Sequence, residues 1–247
     1  MRGKYAVPAS PTELADPLSV IDQCGWLKDS IRGRRLLCLG AGGGRHSALF
    51  AKLGAKVTVL DISGELLQLD RKMASELHLD ITTVEGSIDD LSALPSNFFE
   101  VVLQPVSSCY VPSVRKVFQE VARVITPGGL YVSQHKQPAS LQSSALLVGN
   151  HYSMQEKYKA GLPLPVLTTS LHHREAGMVE FLHTLEELIG GICQSGFVVE
   201  DLAEPRHADE TAGTGTPGHR AIFLPPFVKI KARRVGAFPS GSPIIIG

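Results

Sequence analysis

LLCLGAGGGRHSALFAKLGAKVTVLD, residues 36–61, decides the fold. Leu36-Leu37-Cys38-Leu39 is a continuous apolar run that stops at glycine, which suits a strand buried on both faces, as in a parallel sheet. Gly40-Ala41-Gly42-Gly43-Gly44 then opens a short helical stretch, Arg45 to Leu53, closed by Gly54. Lys56 to Leu60 is a second apolar run and ends at Asp61. Glycines at such a turn let the backbone approach a ligand closely, and the helix N-terminus offers free N–H groups. Asp61 stands 21 positions after Gly40, where an acid is placed to accept from both hydroxyls of a ribose. Strand, glycine loop, helix, strand and acid together point to an adenosine-containing ligand.

The glycine spacing narrows the ligand. A dinucleotide site asks for GxGxxG. Counted from Gly40 its third glycine falls on Arg45; counted from Gly42 it falls on Ser47. The spacing present is GxGxG, at Gly40, Gly42 and Gly44. An NAD(P)-dependent oxidoreductase is therefore the weaker alternative.

Outward from this stretch the rhythm continues. Ser63 is placed to cap a helix on which Leu66, Leu69, Met73 and Leu77 recur at helical spacing. Ile81–Val84 and Phe98–Leu103 read as the third and fourth strands. Val114, Val117, Phe118, Val121, Val124 and Ile125 form a helical stripe, which the pattern ends at Thr126-Pro127-Gly128-Gly129; Leu130–Ser133 is the fifth strand. Alternating strands and helices predict an α/β, doubly wound parallel sheet with helices on both faces. From about Lys136 the rhythm is lost, and residues 136–183 are expected to form a substrate-cover insert. Thr184 and Glu187 suggest a capping box, with Leu185, Leu188, Ile189 and Ile192 as the helix face and Gly196 as its end. Phe197–Leu202 and Phe227–Ala232 complete the strands, with residues 205–218 as a polar loop between them. Residues 1–16 are expected to be loose, Pro17 to about Ile31 helical, and 235–247 a loose tail. The whole chain reads as one domain: an N-terminal helical lid (1–32), a binding core (33–135), the cover (136–183), and a last helix with two strands (184–234).

Composition bounds the partners. The chain has 247 residues, 43% of them hydrophobic, enough for one sizeable core. Lys+Arg and Asp+Glu both number 24, so there is no general footprint for nucleic acid; the basic run Lys229 to Arg234 reads as the solvated end of a strand. Cys24, Cys38, Cys109 and Cys193 are singletons without metal-ligand spacing, so no metal site is expected. No apolar run approaches the length of a membrane span. The expectation is a cytoplasmic monomer or homodimer acting on a small molecule.

The ordered motifs resemble one family, the class I methyltransferases that use S-adenosyl-L-methionine (SAM), in their small-molecule branch. The opening stretch is similar to that family's first two motifs, and VEGSIDDL (84–91) to the segment beside the adenine. FFEVVLQPVSSCYVP (98–112) resembles the fourth-strand motif, and VFQEVARVITPGGLYV (117–132) the helix leading to the fifth strand. FLHTLEELIGGICQSGFVVEDLAEP (181–205) resembles the late helix and sixth strand, with some likeness to quinone C-methyltransferases. The resemblance covers about residues 33–135 and 181–234. It implies a Rossmann-like sheet of order 3-2-1-4-5-7-6 with an antiparallel last strand, and methyl transfer that leaves S-adenosyl-L-homocysteine. By position it implies that Gly40, Ala41, Gly42 and Gly44 cradle the methionine and ribose, Asp61 holds the ribose hydroxyls and Ile62 packs on the adenine. Gly86, Ser87 and Ile88 border the adenine edge, and Gln104, Pro105 and Val106 lie beside the reacting methyl. Ser87 departs from the family, which often has an acid there; Asp89, Asp90 or the backbone remain to receive the adenine amino group. That departure also keeps a non-catalytic SAM-binding module as a rival.

The catalytic candidates come from residue chemistry. His titrates near neutrality and suits base work. His135 follows the fifth strand directly and is the first choice; Tyr110, in the loop after the fourth strand, and His173 are the others, with His172 and His183 nearby.

Overall fold

The computed structural model describes residues 7–27, 31–170 and 174–235. The first two short helices, α1 (Pro11–Ala15) and α2 (Pro17–Ile21), are followed by β1 (Arg35–Leu39), α3 (His46–Lys52), β2 (Lys56–Asp61), α4 (Gly64–Leu77), β3 (Ile81–Glu85) and β4 (Phe99–Gln104). A 3₁₀ turn, Ser108–Tyr110, leads to α5 (Val114–Val124), β5 (Ile125–Lys136) and α6 (Pro138–Gln142). The small hairpin of β6 (Leu162–Pro163) and β7 (Phe181–Leu182) precedes a π-helical turn (Glu186–Gly190), α7 (Gly191–Gln194), β8 (Phe197–Ala203), α8 (Pro217–Phe223) and β9 (Phe227–Arg234).

Seven strands form one sheet in the order β3-β2-β1-β4-β5-β9-β8. β1 pairs in parallel with β2 and β4, β2 with β3, and β4 with β5, whereas β9 is antiparallel to both β5 and β8. This is the expected 3-2-1-4-5-7-6 arrangement, with β9 as the reversed strand. Both faces are covered. α5, Leu188 and Ile192 pack with Leu37, Val102, Tyr131 and Ile230 on one side; Phe50 of α3, Leu67 of α4 and Leu27 pack with Leu36, Val59, Val101 and Val132 on the other. β1 is buried from Leu36 to Leu39, as a central parallel strand must be.

Local details depart from the sequence pattern. Residues 1–16 are not all loose: Ser10 and Glu13 form a capping box on α1, in which Glu13 N–H donates to Ser10 Oγ and Ser10 N–H to the Glu13 carboxylate. The helix expected to run to Ile31 stops at Ile21, because Asp22 turns its carboxylate onto the N–H groups of Trp26 and Leu27. The buried face of α4 is Leu67, Asp70 and Met73, with Leu77 39% exposed. α5 ends at Val124, and Ile125 is already extended and pairs with Phe99; the ladder then skips Thr126 to Gly129 and resumes with Leu130 opposite Val101. The capping box at Thr184 is half made: Glu187 N–H donates to Thr184 Oγ1, but the Glu187 carboxylate turns to His183. The loop expected over 205–218 ends early, at α8, whose N-cap Thr216 accepts from His219 N–H.

Candidate active site

The carboxyl ends of β1, β2 and β4 converge on the glycine loop. Gly40 takes φ of +61°, and its N–H donates to Leu60 O at 2.7 Å. A Cβ on Gly40 would meet Ser107 Cβ at 2.7 Å, so the loop after β4 sits directly against the turn. Gly42 N–H donates to Asp61 Oδ2 at 2.8 Å, and Ser63 N–H to Asp61 Oδ1 at 2.9 Å. Two backbone donors thus fix a carboxylate that is nearly buried, and each of its oxygens retains a lone pair. Ile62, next in the chain, is 73% exposed, an apolar side chain standing open beside a fixed acid.

Asp70 holds the other half of the loop, and sequence reasoning missed it. Its fully buried carboxylate accepts from Gly43 N–H at 2.9 Å, from Gly44 N–H at 3.0 Å, and from the Ser47 hydroxyl. Burial pushes its carboxyl above the usual range, against those hydrogen bonds. The available signal was an aspartate set between Leu67 and Met73 on the inner face of a helix, where an acid stays only if its oxygens are satisfied. Gly44, at φ +78°, lies against this helix: a Cβ there would meet Met73 Cγ at 2.9 Å.

At the end of β3, Gly86 N–H donates to Asp61 O at 3.0 Å. Ser87 donates its hydroxyl to Asp89, so the position that departs from the family pattern is linked to a carboxylate two residues on. Ile88 is buried and would lie 3.0 Å from a Gly40 Cβ. At the end of β4, Gln104 is buried; it accepts from the Tyr131 hydroxyl and donates to Ser107 Oγ at 3.1 Å. Gln104 and Pro105 border a cavity of about 230 Å³, closed by Trp26 and Leu27 from the N-terminal segment, His46 of α3, and Ser133 and Lys229 of the sheet. Burial, with Arg45 and Lys229 nearby, lowers His46 to about 4. Arg45 anchors the N-terminal segment through Glu13, at 2.6 Å.

The catalytic candidates separate. His135 is fully buried, with Nδ1 2.8 Å from Ser108 Oγ and Nε2 2.8 Å from Ser133 Oγ. Burial lowers it to about 3, so it stays neutral with both nitrogens engaged, an arrangement unlike that of a base free to take a proton from a ligand. Tyr110 is half-buried near Lys136, whose Nζ lies 5.7 Å from the ring centre, and burial raises its phenol. His183 faces acceptors: Nε2 lies 3.0 Å from the carbonyls of Ser108 and Val111, and Nδ1 3.4 Å from Glu187. His172 and His173 lie outside the described residues. Among the described residues no group of three His, Cys, Asp or Glu is placed to hold a metal.

Comparison with known proteins gives this geometry its context. The model of a family described as "Methyltransferase domain" matches residues 37–133. The chain is 35% identical over 182 residues to the uncharacterized methyltransferase YbaJ of Bacillus subtilis, covering 71% of this chain and 70% of that protein. It is 32% identical over 124 residues to the ubiquinone biosynthesis O-methyltransferase of Xanthomonas oryzae, covering 49% of this chain and about half, 51%, of that protein. Among solved structures, a SAM-dependent methyltransferase from Mesorhizobium loti superposes with a TM-score of 0.66 at 24% identity, covering 83% of this chain and 92% of that one. A geranyl diphosphate methyltransferase in complex with SAM superposes at 0.60 and 18% identity, covering 90% and 86%.

Proposed function

Since the chain belongs to the class I SAM-dependent methyltransferases, we propose that it methylates a small molecule held beyond the carboxyl ends of β4 and β5, under the cover of residues 136–183. The carrying observation is the Asp61 carboxylate, fixed by the N–H groups of Gly42 and Ser63. The cofactor supplies, when bound, an electrophilic methyl on a positively charged sulfur. Gly40, Ala41, Gly42 and Gly44 line its amino-acid and ribose portion, and the free lone pairs of Asp61 accept the two ribose hydroxyls. Ile62 offers an apolar face to the adenine, bordered by Gly86, Ser87 and Ile88, with Asp89 held there by Ser87. Gln104, Pro105 and Val106 face the methyl-bearing end.

The protein's work is then placement and exclusion of water, and alignment of two reactants is worth about 7–11 kcal/mol in favourable systems. Tyr110 lines the acceptor side with its proton retained. The ubiquinone biosynthesis O-methyltransferases that match half of the chain make an oxygen acceptor the first to test. All four cysteines are free thiols, which supports a reducing, cytoplasmic setting.

The test is calorimetric titration of S-adenosylhomocysteine into wild type and Asp61→Ala, with NAD as a control. Binding to wild type that weakens at least about tenfold in the variant, the scale of a hydrogen bond to a charged group, supports the reading. Equal binding to both proteins overturns the assignment of Asp61. Binding without turnover across a panel of phenols, amines and acidic carbon acids favours the non-catalytic module.

A further inference from the structure

The cavity of about 230 Å³ lies at the carboxyl edge of the sheet, between Pro105 after β4, Gln134 of β5, Lys229 of β9, His46 of α3 and Trp26 of the N-terminal segment. Trp26 is pinned there, because its indole N–H donates to Asp201 Oδ2 of β8 at 2.9 Å.

Lys229 turns to this cavity by strand alternation. Val228, Ile230 and Ala232 pack on the α5 side of the sheet, so Lys229, Lys231 and Arg233 project to the α3 side. Lys231 and Arg233 both pair with Glu200 of β8. Opposite Lys229 stand only Gln134 on β5 and Ala203 on β8, and among the described residues its ammonium makes no hydrogen bond or ion pair. The other charges on the cavity wall are engaged. Arg45 pairs with Glu13 through Nε and Nη2, at 2.9 and 2.6 Å, and Asp22 accepts from the N–H groups of Trp26 and Leu27. Lys229 is thus half-buried rather than a solvated strand end, and a cation drawn out of water is stabilised by an anion brought to it.

Its position selects the anion. β9 is the third strand from β1 in the run β1-β4-β5-β9, roughly 14 Å away at about 4.8 Å per strand. The glycine loop and Asp61 follow β1 and β2, so Lys229 lies past the cofactor's methyl end, which the reading above places at Pro105. A cavity of roughly 150 Å³ already takes a benzene ring, so this one has room for a substituted ring or a short chain. One cation offsets one negative charge, which is that of a carboxylate at neutral pH.

We infer that the acceptor is a small carboxylate, one ring or a short chain, whose acid end pairs with Lys229 in this cavity. The inference rests on the cofactor reading above and makes Lys229 the residue that selects the acceptor's charge.

The test uses benzoate and its uncharged counterpart benzamide, titrated into wild type, Lys229→Met and Lys229→Arg, with and without S-adenosylhomocysteine. Trp26, the single tryptophan of the chain, stands on the cavity wall and reports binding by its fluorescence; thermal melts check that the variants fold. Benzoate is expected to bind wild type at least about tenfold more tightly than benzamide, to lose that advantage in Lys229→Met and to keep it in Lys229→Arg. S-adenosylhomocysteine is expected to bind all three proteins alike. Benzoate that binds no more tightly than benzamide, or a preference that survives Lys229→Met, overturns the inference. So does weaker S-adenosylhomocysteine binding in Lys229→Met, which would give the cation to the cofactor's own carboxylate. Wild type that binds benzoate through Lys229 but no S-adenosylhomocysteine overturns the cofactor reading, and the acceptor role falls with it.

Discussion

At the scale of single residues, the site is set by close approach. Gly42 has a partner on each side: a Cβ there would meet Leu66 Cβ at 2.9 Å and Asp61 Oδ2 at 3.0 Å. Gly42→Ala is therefore expected to displace the carboxylate and weaken S-adenosylhomocysteine binding by about tenfold, the scale of a hydrogen bond to a charged group, with little change in the melting temperature. Calorimetry and a melt on the same protein check it, and an alanine that binds like glycine would sink the idea. The roles proposed for Gly40, Gly42, Gly44 and Asp61 were legible because spacing along the chain is itself the signal. Asp70 was not, since the pattern counted apolar residues and passed over the acid among them. His135 was legible as a histidine at the end of a strand, but its surroundings come from Ser108 and Ser133, and only the folded chain brings Ser108 to it.

At the scale of elements, the long central ones follow the pattern closely and residues 136–183 do not. Leu36–Leu39 of β1 and Val101–Leu103 of β4 are continuous apolar runs, as a parallel sheet covered on both faces favours. Residues 140–144 are held instead by a side chain from α8. Arg220 of α8 is buried, and its guanidinium donates to Ser144 O at 3.0 Å, Ser140 Oγ at 2.7 Å and Ser140 O at 2.7 Å. It thereby ties α8 to the carbonyl end of α6. Arg220→Met removes the guanidinium that donates to the Ser144 carbonyl and is expected to lower stability by about 3 kcal/mol, read from urea unfolding; an unchanged midpoint would refute this role. The signal for α8 was Thr216-Pro217, a capping residue followed by proline at the first helical position, masked by the polar residues around it.

At the scale of the whole molecule, stability carries the mark of its buried histidine. The folded protein holds His135 at about 3, against an ordinary 6.5. Below pH 6.5 the unfolded chain takes up a proton that the folded chain refuses until about pH 3, so stability falls as pH drops through this window, by about 1.4 kcal/mol per pH unit. His46, held at about 4, acts in the same sense. Urea unfolding at pH 7, 6 and 5 should show the slope, and His135→Asn should flatten it; a slope unchanged in that variant would show that His135 is not its source. The sequence alone determined the sheet, its strand order by resemblance, and the family, because hydrophobic period and glycine spacing are local and survive reading one residue at a time. The tertiary structure decided where Asp70, Arg220 and His135 point and what each one bonds. Those partners come from distant parts of the chain, and burial, which makes each bond necessary, exists only once the sheet has been covered on both faces.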